Sequence, residues 1–218
     1  FTTAYSLRRH LHKTILEHMY EFPLANPLDN ARDLPMIDAT LIEDIFAKSN
    51  TPLTPYEYLW RVAEGGDIGK SALSTLKIDH TVPPVLTKKG GSVEARRRWK
   101  KFLSQRLINY NELRNQPQEN GASGISPWLH FGHIGVHQII NEIFTAYRWD
   151  VSMVTPPNDG RRSGWWGLPE PVEAFLDQII TWRDIGFIHC AMIPSHTEFS
   201  SLPQWAQTTL AEHANDER

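Results

Sequence analysis

The sequence predicts an all-α fold. Apolar residues recur at helical three- and four-residue spacing in one segment after another. Pro or a small polar residue marks where those segments open, and no segment alternates apolar and polar residues between hairpin turns.

Residues 4–21 put Leu7, Leu11, Ile15 and Met19 on one helical stripe, with Arg8, Arg9, His12, Lys13 and Glu17 on the other faces. Asp38 opens a second amphipathic helix with Leu41, Ile42, Ile45 and Phe46 inward. Thr54-Pro55-Tyr56-Glu57 is a capping box with proline at the first helical position, and Gly65-Gly66 ends the helix it starts. Residues 78–91 read as irregular, because His80, Pro83-Pro84 and Gly90-Gly91 leave no room for a helix. Residues 92–113 read as one long helix with Trp99, Phe102, Leu103, Leu107 and Tyr110 as its stripe.

A small-residue loop then runs into Ser126-Pro127, which predicts a helix start with Ser126 as the N-cap. Residues 135–147 form the next helix, burying Val136, Ile139, Ile140, Ile143 and Phe144. Residues 150–170 are a Pro/Gly-rich loop. Pro171 starts a helix carrying Phe175, Leu176, Ile179, Ile180, Trp182, Ile185 and Phe187. Ser201 to Gln204 is a second capping-box pattern opening a last helix.

The 218 residues suffice for one large domain, or a domain with an extension. A formal charge of −3 gives no global field for nucleic acid, so any such contact must be local. The single cysteine, Cys190, excludes a disulfide framework and points to an intracellular, cytoplasmic setting. No apolar run reaches the roughly 20 residues a membrane span needs. The chain starts at Phe1 within a helical pattern, as a piece of a longer protein would.

Several groupings bear on chemistry. The turn at residues 120–132, with Ser123 and Ser126, suits a phosphate, since a helix start presents backbone N–H groups and a positive dipole end; an ordinary capped helix has the same pattern. Lys88, Lys89, Arg96, Arg97, Arg98, Lys100 and Lys101 form a basic cluster, readable as a phosphate-backbone contact or as a solvated helix face. Arg161-Arg162-Ser163-Gly164-Trp165-Trp166 joins guanidiniums to stacking surfaces, the mixture that holds extruded nucleotides; a loop pinned by buried indoles accounts for it equally. His130, His133 and His137 have helical spacing, but Gly132 and Gly135 interrupt it and acidic or thiolate ligands are lacking, so no metal is expected. Gln178 and Trp182, one turn apart and followed by Arg183-Asp184, would line a pocket for a flat polar ligand, or belong to a core helix. No nucleophile elbow, P-loop or dinucleotide fingerprint is present.

Taken together these segments resemble the class II cyclobutane-pyrimidine-dimer photolyases of the photolyase/cryptochrome superfamily, over essentially the whole chain. The opening A-Y-S-L-R-R-H-L-H-K-T-I-L-E-H-M-Y-E-F-P resembles the family's connector helix, and residues 125–132 resemble its L-S-P-Y-L-H-F-G. Residues 175–187 resemble its F-L-E-E-L-x-x-x-R-E-L helix. Residues 76–85, 106–117 and 202–218 are similar to further segments in the same order.

The resemblance implies an inter-domain connector at residues 1–30 and the first part of a helical FAD-binding domain at 31–218. The α/β antenna domain and the C-terminal flavin half would lie outside this sequence. It implies light-driven repair of pyrimidine dimers in damaged DNA through reduced FAD, by a monomer. Tyr110 would contact the flavin, Ser123, Ile125 and Ser126 would hold its phosphates and ribityl chain, and Arg183 would lie beside it. Trp182 would stack on the flipped lesion, and Arg161 and Arg162 would contact DNA. The fragment alone is expected to bind FAD weakly or not at all, and to be inactive. One departure matters: Gln178 stands where the family has a substrate-contacting glutamate, and an amide cannot act as the acid a carboxyl can. That leaves a cryptochrome-like non-enzymatic flavoprotein, or a flavin-free helical scaffold, as alternatives.

Overall fold

In a computed structural model, the described residues are 1, 3–20, 22–24, 77–83, 85 and 87–217, with 26, 29, 34, 35, 38, 40, 41, 44 and 47 between them. They are helix, turn and loop with no strand among them, so the all-α expectation holds. The chain divides into two compact units, Phe1–Pro23 with Gly90–Arg218, and Leu24–Lys89.

In the second unit, the Asp38 carboxylate accepts from Thr40 N at 3.0 Å, and residues 40, 41, 44 and 47 are helical, in keeping with a helix opened by Asp38. Asp79 accepts from Thr81 N at 2.9 Å and so fixes a turn in the stretch read as irregular. The capping box at 54–57, the Gly65-Gly66 stop and the side chains of Ile42, Ile45 and Phe46 lie outside the described residues.

The first unit begins with α1 (Ala4–Thr14), capped by the Thr3 hydroxyl accepting from Ser6 N, and a 3₁₀ turn, Ile15–His18. Leu7 and Ile15 are buried as the stripe predicts. His12 corrects the reading: it is buried rather than outward, because the 158–166 loop covers that side of the helix. His12 meets Trp165 edge-on at 4.6 Å, and Gly160 lies so close to Tyr5 that a Cβ there would sit 2.7 Å from the ring.

The long helix read at 92–113 is broken. α2 (Ser92–Gln105) ends where Arg106 turns to φ −122°; a 3₁₀ turn (Leu107–Asn109) and α3 (Tyr110–Leu113) follow. Arg106 Nη1 donates to the carbonyls of Asn120 at 3.0 Å and Ala122 at 3.3 Å, tying the break to the next loop. The bend carries Tyr110 into the same aromatic core as Trp99 and Phe102. Phe175 is the hub of that core, 5.7 Å from Trp99, 5.1 Å from Phe102 and 5.2 Å from Tyr110.

α4 (Ser126–His130) is short, and Gly132 at φ +68° ends it before α5 (Val136–Ala146). Trp99 Nε1 donates to Glu142 at 2.9 Å, joining α2 to α5 across the core. The 150–170 stretch is loop apart from one 3₁₀ turn, Val151–Met153.

The helix expected from Pro171 is one continuous rod of three parts: α6 (Glu170–Asp177), a π-helical turn (Gln178–Trp182) and α7 (Arg183–Met192). Val172, Phe175, Leu176 and Ile179 are buried. The burial stops there; Trp182 and Phe187 are exposed, which sets aside the reading of Trp182 as a core residue. α8 (Gln204–Glu212) closes the unit. Its expected cap is absent, because Ser201 Oγ donates to the Glu198 carbonyl instead.

Candidate nucleic-acid interface

The π turn sets the geometry of the site. A π turn takes in an extra residue per turn, and such insertions concentrate where helices re-aim side chains. Here it begins at Gln178 and ends at Trp182. Just before it, the buried Asp177 carboxylate accepts two bonds from the Arg8 guanidinium, at 2.7 and 2.8 Å, which locks α1 against α6. Arg114, one residue past α3, reaches the same place. With the Gln178 amide oxygen turned to its donors, it accepts from Arg114 Nη1 at 2.9 Å and from Trp182 Nε1 at 3.3 Å.

These residues line a recess of about 350 Å³ together with Asn115 and Arg162. Three guanidiniums face one carboxylate there, and Asp177 is already held by Arg8. The remaining wall is cationic beside an indole that is 50% exposed. An anion and a flat ring side by side, as in a nucleotide, match that wall.

The other expected site residues fall elsewhere. Arg161 turns back to Asp159, its Nε 2.7 Å from the carboxylate, and holds that carboxyl down to about 2. Arg183 faces away from the recess and lines a separate, mainly apolar cavity of about 600 Å³ between α1, α5 and the rod. Its guanidinium lies 4.6 Å over the Phe187 ring and 3.5 Å from Asp184, whose carboxyl burial pushes up. Tyr110, Ser123, Ile125 and Ser126 line neither space. Tyr110 nevertheless joins the recess through Arg114, whose guanidinium sits 5.7 Å from its ring. Burial pushes the phenol up, and Arg114 opposes that in smaller measure.

The turn before α4 differs from its expected form. Ser126 is the first helical residue rather than the cap, and it makes no cap bond. Ile125 takes the cap position because its side chain is drawn into the core. Ser123 Oγ accepts from Ile125 N at 3.4 Å, Pro127 has no N–H, and Trp128 and Leu129 donate to the Ile125 carbonyl. At the helix start itself, the donors left for a phosphate are the two hydroxyls and the Ser126 N–H. That set suits one end of a dinucleotide, though it is thinner than a full anion cradle.

Of the remaining groupings, the basic cluster is a solvated face, with Arg97 and Arg98 both on Glu94 at 2.7 and 2.8 Å. Trp165 and Trp166 are buried rather than offered as stacking surfaces. His133 Nδ1 accepts from Gly91 N at 3.2 Å, and no metal-holding group of His, Cys, Asp or Glu occurs among the described residues. No described helix is long and apolar enough to cross a membrane.

Four residues of the recess, Arg8, Arg114, Asn115 and Asp177, are not among the site candidates that the sequence marks out. Arg114 lies four residues after Tyr110, a one-turn spacing that is legible in principle. The Arg8–Asp177 pair spans 169 positions and leaves no local signal.

The cationic recess beside an exposed indole is the candidate site of this helical unit, and comparison with known proteins bears on what it serves. No family model matches the chain. It is 27% identical over 143 residues to the deoxyribodipyrimidine photo-lyase of Potorous tridactylus, covering 66% of this chain and 24% of that protein. It is 30% identical over 118 residues to that of Oryza sativa subsp. japonica (54% and 20%) and over 132 residues to that of Methanothermobacter thermautotrophicus (60% and 24%). The chain spans no more than about a quarter of the length of these relatives. The similarities support the photolyase family.

Proposed function

We propose that this chain is part of the helical flavin domain of a class II photolyase-like protein that recognises pyrimidine dimers in DNA. The observation that carries this reading is the recess at the π turn, where Arg114, Gln178, Trp182 and Arg162 come together. The exposed Trp182 indole stacks on an extruded base, and the Arg114 and Arg162 guanidiniums take the adjacent phosphates. Residues 1–30 serve as the connector into the domain.

FAD is the implied cofactor. The resemblance would have Ser123, Ile125 and Ser126 hold its phosphate and ribityl portion, with Tyr110 and Arg183 beside it. With Ile125 and Tyr110 in the core and Arg183 at a separate cavity, the Ser123 and Ser126 hydroxyls are the part of that set that fits. Reduced FAD, when bound, supplies the electron that splits the cyclobutane ring under light.

Gln178 limits the chemistry at the lesion. With its oxygen engaged by Arg114 and Trp182, the amide presents N–H groups to a pyrimidine carbonyl, so hydrogen bonding to the lesion is retained. Transfer of a proton to that carbonyl is not, because an amide has no acidic proton in this range. That feature favours a second reading, a cryptochrome-like flavoprotein that binds without repairing. The test is illumination of the full-length parent protein, loaded with reduced FAD, with dimer-containing DNA. Light-dependent loss of dimers supports the photolyase reading, and lesion binding without repair supports the second.

A further inference from the structure

Glu173 lies in the first turns of α6, 1% exposed, in a position the expected chemistry does not use. Its carboxylate collects the backbone of one loop. One oxygen accepts from Gly164 N and from Trp165 N at 3.3 Å, the other from Trp166 N at 3.1 Å and Leu168 N at 3.2 Å. A buried carboxylate without donors is strongly unfavourable, and four peptide N–H groups converge on one only if the loop adopts a single path. Carboxylate and loop path therefore require each other. The buried indoles reinforce that path: Trp149 Nε1 donates to the Trp166 carbonyl at 2.7 Å, and Thr155 N to the Trp165 carbonyl at 2.8 Å.

Immediately upstream of the clamped residues are Arg161 and Arg162, and Arg162 forms part of the recess wall. Gly164 stands between the arginines and the indoles at φ +79°, a conformation L side chains rarely adopt. We infer that Glu173 is a positioning residue for DNA recognition: it never meets the nucleic acid, but by fixing the 164–168 backbone it holds Arg162 at the recess. This inference rests on the reading of the recess as a DNA site.

The test is a double-mutant cycle read as affinity for a fluorescent duplex containing one thymine dimer, at fixed salt. Arg162→Ala is expected to weaken binding about tenfold, as loss of one charged contact does, and to lower the salt slope by about one. Glu173→Gln is expected to weaken binding to a similar degree with helicity retained, and to speed amide exchange at 164–168. In the Arg162→Ala background it should change affinity no further. Gly164→Ala disturbs the same loop while leaving the Glu173 side chain in place, and it should reproduce the loss if Glu173→Gln does not fold. A Glu173→Gln effect equal in both backgrounds, or faster exchange with unchanged affinity, overturns the positioning role alone. Unchanged binding by Arg162→Ala overturns the role together with the DNA reading of this wall.

Discussion

With the Gln178 amide oxygen turned to its donors, it accepts from Arg114 Nη1 at 2.9 Å, joining the segment after α3 to the first residue of the π turn. That orientation leaves Gln178 the N–H end of its amide for a ligand.

Gln178→Glu tests that chemistry. A carboxylate here would keep the Arg114 and Trp182 donors, and its protonated form could serve as an acid. Dimer repair by the full-length, FAD-loaded protein should rise about 10- to 100-fold, the lower range of general acid catalysis. Counting dimers remaining after a fixed light dose reads it, and equal rates before and after the change would sink the idea.

The Arg8–Asp177 pair is predicted to matter most through its asymmetry. Removing Arg8 takes the bonded cation from the buried Asp177, and removing Asp177 leaves the largely buried Arg8 unpaired, at a cost of up to about 3–5 kcal/mol. Arg8→Ala or Asp177→Ala should each lower urea stability by that order. The apolar double replacement Arg8→Met with Asp177→Leu should recover most of it. Single variants as stable as the parent protein would show that the pair is dispensable.

His12 predicts a pH dependence. It is buried, and neither ring nitrogen has a hydrogen-bond partner. Burial lowers its pKa from the ordinary 6.5; Asp159 and the Arg161 backbone oppose that, while the Arg161 and Arg8 guanidiniums add to it. The folded state thus holds the ring neutral where the unfolded chain would bind a proton. Stability falls as pH drops below about 6.5, until the folded ring protonates as well, at no more than about 1.4 kcal/mol per pH unit. Denaturation midpoints between pH 7 and 5 should show this loss, and His12→Phe should flatten it. An unchanged slope in that variant assigns the acid sensitivity to other groups.

Gly160 is predicted to be intolerant of alanine. At φ +77°, with its missing Cβ 2.7 Å from the Tyr5 ring, it combines backbone strain with a clash against α1. Gly160→Ala should cost about 1–3 kcal/mol, and adding Tyr5→Ala should relieve only the clash. Thermal melts of the two variants separate those contributions.

The sequence carries the helical class, the Val136–Ala146 helix, the loop at 150–170 and the Gln178–Trp182 pair, because each rests on local periodicity or on Pro and Gly. Periodicity also makes the interval from Ser92 to Leu113 look unbroken, since the force that breaks it comes from carbonyls at residues 120 and 122. His12 falls on an outward face by spacing for the same reason: the loop that covers it is some 150 positions away.

What the sequence alone determined is the helical class, several helix starts, and some of the residue types at the candidate site. Only the tertiary structure decided how those residues are shared out. It gathered Gln178, Trp182 and Arg162 around Arg114, turned Arg183 to a different cavity, paired Arg161 with Asp159, and pinned the loop on Glu173. Periodicity reports which face of a helix is apolar. Charge pairing and hydrogen bonding across long separations depend on which elements meet, and that is fixed only when the core closes.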